Sequence, residues 1–143
     1  MRIEGSCHCR NLTFHLEWPG EPTRIEARSC GCSFCTGHGA NWASCPGGAL
    51  AIAAADPSLV AAYSFATGTA TFHLCARCGV VPAVTSRIEG KLYGVVNANT
   101  FTGVEPALVH RVPAAFGDEP AAARLARRKR SWIGDVRWID RMG

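Results

Sequence analysis

Long apolar runs are absent from this sequence. Nothing in it approaches the roughly 18 consecutive apolar residues of a membrane-crossing helix, and the start, Met1-Arg2-Ile3-Glu4-Gly5, has an acid where a secretory signal has its apolar core. The expectation is a cytoplasmic protein with no membrane partner. Charged residues are also scarce, 18% of 143 residues against 48% hydrophobic. That balance excludes disorder as the general state, because a chain this apolar can bury enough surface to offset its ordering entropy. Internal repeats and low-complexity tracts are missing too, and the length fits one domain with a real core. Helical patterning is thin before residue 118.

Cysteine is what the chain has in excess, with eight residues. Without an export signal these are poor candidates for disulfides, since reducing compartments keep thiols free, and metal ligation is the better reading. They fall as Cys7-His8-Cys9, Cys30-Gly31-Cys32-Ser33-Phe34-Cys35 and Cys75-Ala76-Arg77-Cys78-Gly79, with Cys45 alone. Two paired clusters supply the four thiolates of a closed, structural, tetrahedral zinc. Cys7, Cys9, Cys75 and Cys78 are assigned to it, the second pair having the form of a zinc knuckle whose glycine allows the turn. The middle cluster, Cys30, Cys32 and Cys35, leaves a fourth position for water or substrate, as a catalytic zinc does. Two zinc ions per chain are therefore expected. The alternative is a second closed site completed by Cys45 or His38.

Other side chains carry weaker signals. His8, between two ligands, is expected to point away from the metal, and His15 and His73 to be exposed strand residues. Cys45 reads as a small buried side chain. His38, flanked by Gly37 and Gly39, is placed to approach a ligand at the middle cluster.

Leu12, Phe14, Leu16 and Trp18 alternate with Thr13, His15 and Glu17, the period of a strand with one buried face. Shorter strands are expected around residues 24–28, 49–54, 63–65, 69–74, 80–84 and 92–97. Turn signals separate them at Pro19-Gly20, Pro46-Gly47-Gly48, Thr67-Gly68 and Glu89-Gly90. Asp56-Pro57-Ser58 suits one helical turn, with Asp56 as cap, and residues 119–130 favour a helix by propensity.

The series Gly5-Ser6-Cys7-His8-Cys9, Cys30-x-Cys32-x-x-Cys35 and Cys75-x-x-Cys78-Gly79, with the Tyr63-Ser64-Phe65-Ala66-Thr67-Gly68 turn before the last, resembles the glutathione-dependent formaldehyde-activating enzyme family from about Gly5 to Phe101. The resemblance implies a zinc-stapled β-tent fold, with the first and third clusters sharing the structural zinc and the middle cluster holding the catalytic one. It implies a carbon–sulfur lyase of the S-(hydroxymethyl)glutathione synthase kind, whose small-molecule partners are a thiol, glutathione, and formaldehyde or another small aldehyde. Glutathione's carboxylates and peptide groups need guanidinium and amide contacts. Arg28, Arg77 and Arg87 lie near the clusters in sequence, and Asn97 and Asn99 are candidate pocket amides; His38, Arg77 and Asn97 are the substrate-contact candidates.

The basic residues are unevenly spread: Arg124, Arg127, Arg128, Lys129, Arg130, Arg137 and Arg141 crowd the C-terminal segment. Such a run suits phosphates, so a non-catalytic zinc module binding protein or nucleic acid is the competing function. Against nucleic acid, few basic residues surround the knuckles and no aromatics interleave with them. A solvated helix face or a subunit contact in a homo-oligomer is the plainer reading of the run, with Trp132 and Trp138 covering core or an interface. The expected architecture is mainly β and single-domain: residues 1–117 form the zinc-binding domain, and residues 118–143 a short helical and basic appendage packing on or beside it.

Overall fold

A computed structural model describes residues 1–140, so Arg141 lies outside the described residues. The chain runs through β1 (Arg2–Ser6), β2 (Leu12–Glu17), β3 (Ile25–Cys30), α1 (Ser33–His38), β4 (Trp42–Ala43), β5 (Ala49–Ala54), β6 (Val60–Tyr63), β7 (Thr71–Cys75), β8 (Ala83–Ile88), β9 (Lys91–Asn97), β10 (Phe101–Thr102), β11 (Val109–Ala114), α2 (Ala121–Ser131) and β12 (Asp135–Trp138). Short 3₁₀ turns occupy Pro57–Leu59, Ala98–Thr100 and Pro106–Leu108. The fold is mainly β, as expected, in two sheets ordered β10-β1-β2-β5-β12 and β11-β3-β4-β9-β8-β7-β6.

Alternation in β2 works as the sequence pattern requires: Leu12, Phe14 and Leu16 are buried while Glu17 is exposed. Those side chains join Ile3, Leu50 and Ile52 of the same sheet and meet Ile25, Ala43, Ala83 and Val96 of the larger sheet, forming the core between the layers. The larger sheet is also covered on its outer face, where Trp42, Val84, Tyr93 and Val95 pack with Cys35 of α1 and with Trp132 beyond α2. Burial on both faces explains the unbroken apolar character of β9, in which neighbours Val95 and Val96 serve opposite cores. It also reverses the expectation for His73. That residue is buried, with its ring nitrogen Nε2 2.8 Å from Thr85 Oγ1 and its ring packed edge-on to Trp138.

Several boundaries depart from the pattern reading for local reasons. The strand expected at residues 80–84 begins only at Ala83, after Pro82, whose missing N–H suits it poorly to a central ladder. The strand expected at 63–65 ends at Tyr63, because Ala66 and Gly68 take φ of 55° and 70° to make the next turn. The Glu89-Gly90 signal is a two-residue hairpin with φ of 53° and 80°, the hand that matches strand twist. Strands β1, β4, β10, β11 and β12 had no recognised signal, nor did α1.

The C-terminal segment is woven into both sheets. Ile133, fully buried, exchanges backbone hydrogen bonds with Gly94 of β9 at 3.0 and 2.9 Å, and β12 then pairs in parallel with β5. Gly94 allows this crossing, since a Cβ there would lie 3.2 Å from Val136 and 3.3 Å from Leu50. Ile133→Ala is expected to destabilise the whole domain by about 2–5 kcal/mol, the range for emptying a core aliphatic site. Urea unfolding monitored by tryptophan fluorescence checks this; a midpoint unchanged from wild type would mean the C-terminal segment folds apart from the core.

Candidate functional site

Two tight turns build the first cysteine cluster. After β1, Arg10 adopts φ 68° and its N–H donates to the Cys7 carbonyl at 3.1 Å; after β7, Gly79 adopts φ 79° and its N–H donates to the Cys75 carbonyl at 2.8 Å. Turns of this kind aim backbone N–H groups at sulfur, as the Leu12 N–H does at Cys7 Sγ, 3.3 Å away. The Sγ atoms of Cys7, Cys9, Cys75 and Cys78 all lie within 4.8 Å of one another, with Cys7–Cys9 at 3.7 Å and Cys9–Cys75 at 3.4 Å. A tetrahedral zinc with Zn–S bonds of about 2.3 Å sets its sulfurs roughly 3.8 Å apart, so the spacing fits. Burial pushes the Cys7 thiol up to about 12. At Cys78 burial acts the same way, but the N–H groups of Val80 and Cys9 outweigh it and bring the thiol down to about 6. The Asn11 N–H lowers Cys9. Thiolates pre-stabilised by amides are suited to a soft divalent cation.

The second cluster forms where β3 runs into α1. Cys30 ends the strand, Cys32 caps the helix by accepting from the Cys35 N–H at 3.4 Å, and Gly39 closes it with φ 60°. Six residues containing a glycine have little helical propensity; the two caps hold them. Cys35 is buried, and the indole N–H of Trp42 donates to its sulfur at 3.4 Å. Burial raises the Cys35 thiol; at Cys32 burial opposes, but the Cys35 N–H brings the thiol below its ordinary value. These three sulfurs also lie within 4.8 Å of one another, and among the described residues no fourth ligand joins them. Cys45 sits in the core between the sheets, where burial pushes its thiol up to about 11. His38 is exposed and rests on the Phe34 ring, centroids 4.5 Å apart.

Beside this open cluster is a cavity of ≈ 150 Å³. Cys30, Cys32 and Cys35 form part of its wall, with Trp42, Phe72 and Trp132 as apolar lining. Arg28 of β3 and Arg124, Arg127 and Arg128 of α2 also face it. The basic run is therefore not a wholly solvated face: Arg124, Arg127 and Arg128 stand three and four residues apart, on one side of the helix, and that side is turned inward. Phe116 and Gly117 reach the cavity as well, and Arg127 lies 3.7 Å from the Phe116 ring centroid. The spacing of the arginines was visible in the sequence; the loop that brings their helix back over the cysteines was not.

The remaining candidates are scattered. Arg77 is exposed in the knuckle of the first cluster, and Arg87 is exposed and donates to the Gly90 carbonyl at 3.1 Å. Asn97, 4% exposed, accepts from the Asn41 and Asn99 N–H groups at 3.3 and 3.2 Å and donates to the Val81 carbonyl at 3.1 Å. Its amide is committed to pinning the chain after β9. Asn99 donates to the Gly39 carbonyl at 2.6 Å and so steadies the end of α1. Neither Arg77 nor Asn97 lines the cavity, whereas Arg28 does.

Glu119 is the carboxylate that balances this wall, 3.1 Å from Arg127 Nη2 and 3.8 Å from Arg124 Nε. Because all three side chains are largely shielded, Glu119→Gln should cost about 1–3 kcal/mol, and added salt should recover part of it by screening the guanidiniums left unpaired. Urea midpoints at low and high salt test this; a loss of stability that is the same at both would point to packing instead of charge.

The sequence model of the family described as glutathione-dependent formaldehyde-activating enzyme matches residues 2–110. A crystal structure of a Rhodobacter sphaeroides protein is similar with a TM-score of 0.58 and 28% sequence identity, covering 77% of this chain and 97% of that one. No curated protein matches significantly. Both cysteine clusters fall within the matched segment, while α2 and its arginines lie beyond it. With the matched segment spanning most of the sequence, the chain belongs to the glutathione-dependent formaldehyde-activating enzyme family.

Proposed function

We propose that this protein is a cytoplasmic zinc enzyme that joins the thiol of glutathione to formaldehyde, or to another small aldehyde, and is a carbon–sulfur lyase when the reaction is read in reverse. The observation that carries this reading is the pairing of an incomplete three-sulfur cluster with a cavity that the same three cysteines line. A closed site would have no use for the cavity. Eight free cysteines agree with a reducing compartment, and among the described residues no helix is long and apolar enough to cross a membrane.

In this reading Cys7, Cys9, Cys75 and Cys78 hold a structural zinc, and Cys30, Cys32 and Cys35 hold the catalytic one. Zinc at the second site would supply a lowered thiol pKa and a fixed position for the thiolate. The reaction itself forms one carbon–sulfur bond: the thiol gives up its proton to water, the sulfur lone pair attacks the carbonyl carbon, the carbonyl π pair moves to oxygen, and oxygen takes a proton back from water. Trp42 and the α1 cap hold Cys35 and Cys32 in place, and Trp42, Phe72 and Trp132 give the adjoining space an apolar wall. Because this addition is facile in water, holding two reactants together supplies much of the acceleration needed. A non-catalytic module for protein or nucleic acid is less well supported, since Arg124, Arg127 and Arg128 turn toward the cavity.

Elemental analysis of protein purified without chelator is expected to give two zinc ions per chain. Cys32→Ser should keep one zinc and the fold while losing glutathione binding in calorimetric titration, and Cys75→Ser should lose the cooperative thermal transition. A single zinc that persists in Cys32→Ser, with no glutathione binding to either protein, would leave only the structural site and return the non-catalytic module.

A further inference from the structure

Formaldehyde is neutral, and a sulfhydryl group by itself needs no cation other than a metal, yet the cavity beside the open cluster is walled by Arg28, Arg124, Arg127 and Arg128 with no acidic residue in its lining. Glu119 is the one carboxylate within ion-pair distance of any of them among the described residues. Arg128 is 5% exposed and has only neutral partners, Thr69 Oγ1 at 2.8 Å and Ser86 Oγ at 3.1 Å. Its Nε has no hydrogen-bond partner, and neither does the buried Nε of Arg124. Burial, then Arg127 and Arg124, lower the Arg128 guanidinium to about 10, so it stays charged at neutral pH and stands in want of an anion. An uncompensated buried charge is strongly unfavourable, and arginine cannot escape it by losing its proton.

We infer that this cavity is a carboxylate site, in which Arg28 and the arginines of α2 hold the carboxylate of a reactant whose other end lies at the Cys30–Cys32–Cys35 cluster. Planar guanidinium forks match carboxylate geometry and form charge-assisted hydrogen bonds to it. A volume of ≈ 150 Å³ is on the order of that which holds a single six-membered hydrocarbon ring. It therefore takes a molecule of a few heavy atoms, or one end of a larger one, and not a whole tripeptide. The site rests on the proposed thiol–aldehyde reading, and the carboxylate has two sources within it: the thiol, since glutathione carries carboxylates, or the electrophile, in which case the aldehyde is a short oxo acid. Because α2 lies beyond residues 2–110, selectivity for the anion is set by a segment outside the family match.

Calorimetric titration of the zinc-loaded full chain with glutathione, glutathione diethyl ester and glyoxylate tests this without any variant. If the thiol is the source, glutathione binds at least tenfold tighter than its ester, and Arg124→Gln brings the two together while Arg124→Lys restores part of the difference. If the electrophile is the source, acid and ester bind alike, whereas glyoxylate binds alone, raises the melting temperature, and loses both effects in Arg124→Gln. Equal binding of acid and ester with no binding of glyoxylate would overturn the carboxylate site and leave the thiol site standing. Glyoxylate binding that persists in Cys32→Ser, with no glutathione binding to wild type, would support the carboxylate site while removing the thiol reading.

Discussion

Cys9 and Cys75 are 66 residues apart in the chain and 3.4 Å apart at their sulfurs. Cys7 follows β1 of the five-stranded sheet and Cys75 ends β7 of the seven-stranded sheet, so the first cluster stands where the two layers meet. Four thiols cannot crowd within 4.8 Å in a partly buried place as thiolates unless a cation offsets their repulsion. A metal there would act as a cross-link that closes a long loop, and the cost of closing such a loop grows only slowly with its length. The two turns that present the sulfurs are held by their own backbone hydrogen bonds, so the staple is local in its geometry and long-range in its effect.

The second cluster depends on that registration in a different way. Its three sulfurs come from one short stretch, but the wall behind them is assembled from β4, β7, β8, β9 and the segment around α2. Burial of the larger sheet on both faces is what makes this possible, because its outer face carries the aromatic and aliphatic side chains on which α1 and Trp132 pack. The two clusters thus stand on opposite sides of one sheet. On the proposed reading, that separation would let the open cluster keep an unfilled position without a fold that depends on filling it.

Electrostatics sets the character of the cavity. Its thiols are tuned in opposite directions, Cys35 raised by burial and Cys32 lowered despite burial by the helix-cap N–H. Four guanidiniums line the same space, and two of them, Arg124 and Arg127, share one carboxylate, Glu119. A ligand in the cavity meets both sulfur and cationic groups, a combination that suits a molecule with one nucleophilic or electrophilic centre and one anionic group.

Much of this was legible in the residues. Alternation in β2 located a strand and its buried face, Glu89-Gly90 located a turn, and the number and pairing of the cysteines separated a four-sulfur set from a three-sulfur set; turns and strand alternation are governed by contacts within a few residues. Helix α1 was not legible, since it exists through a cap at Cys32 and a left-handed glycine and not through propensity. Parallel strands β11 and β12 were hidden because their partners, β3 and β5, are distant in sequence. Proximity in sequence did not show what lines the cavity: Arg77 is exposed in the knuckle of the first cluster, and Asn97 spends its amide on the backbone. The arginines that do reach the cavity lie on α2, far along the chain from the cysteines. The residues alone carried the division of the cysteines into a four-sulfur and a three-sulfur set, which follows from their number and pairing, and the place of strands such as β2, whose alternation is a short-range matter. What surrounds the open cluster emerges only in three dimensions, because it depends on how the chain beyond residue 110 folds back across both sheets.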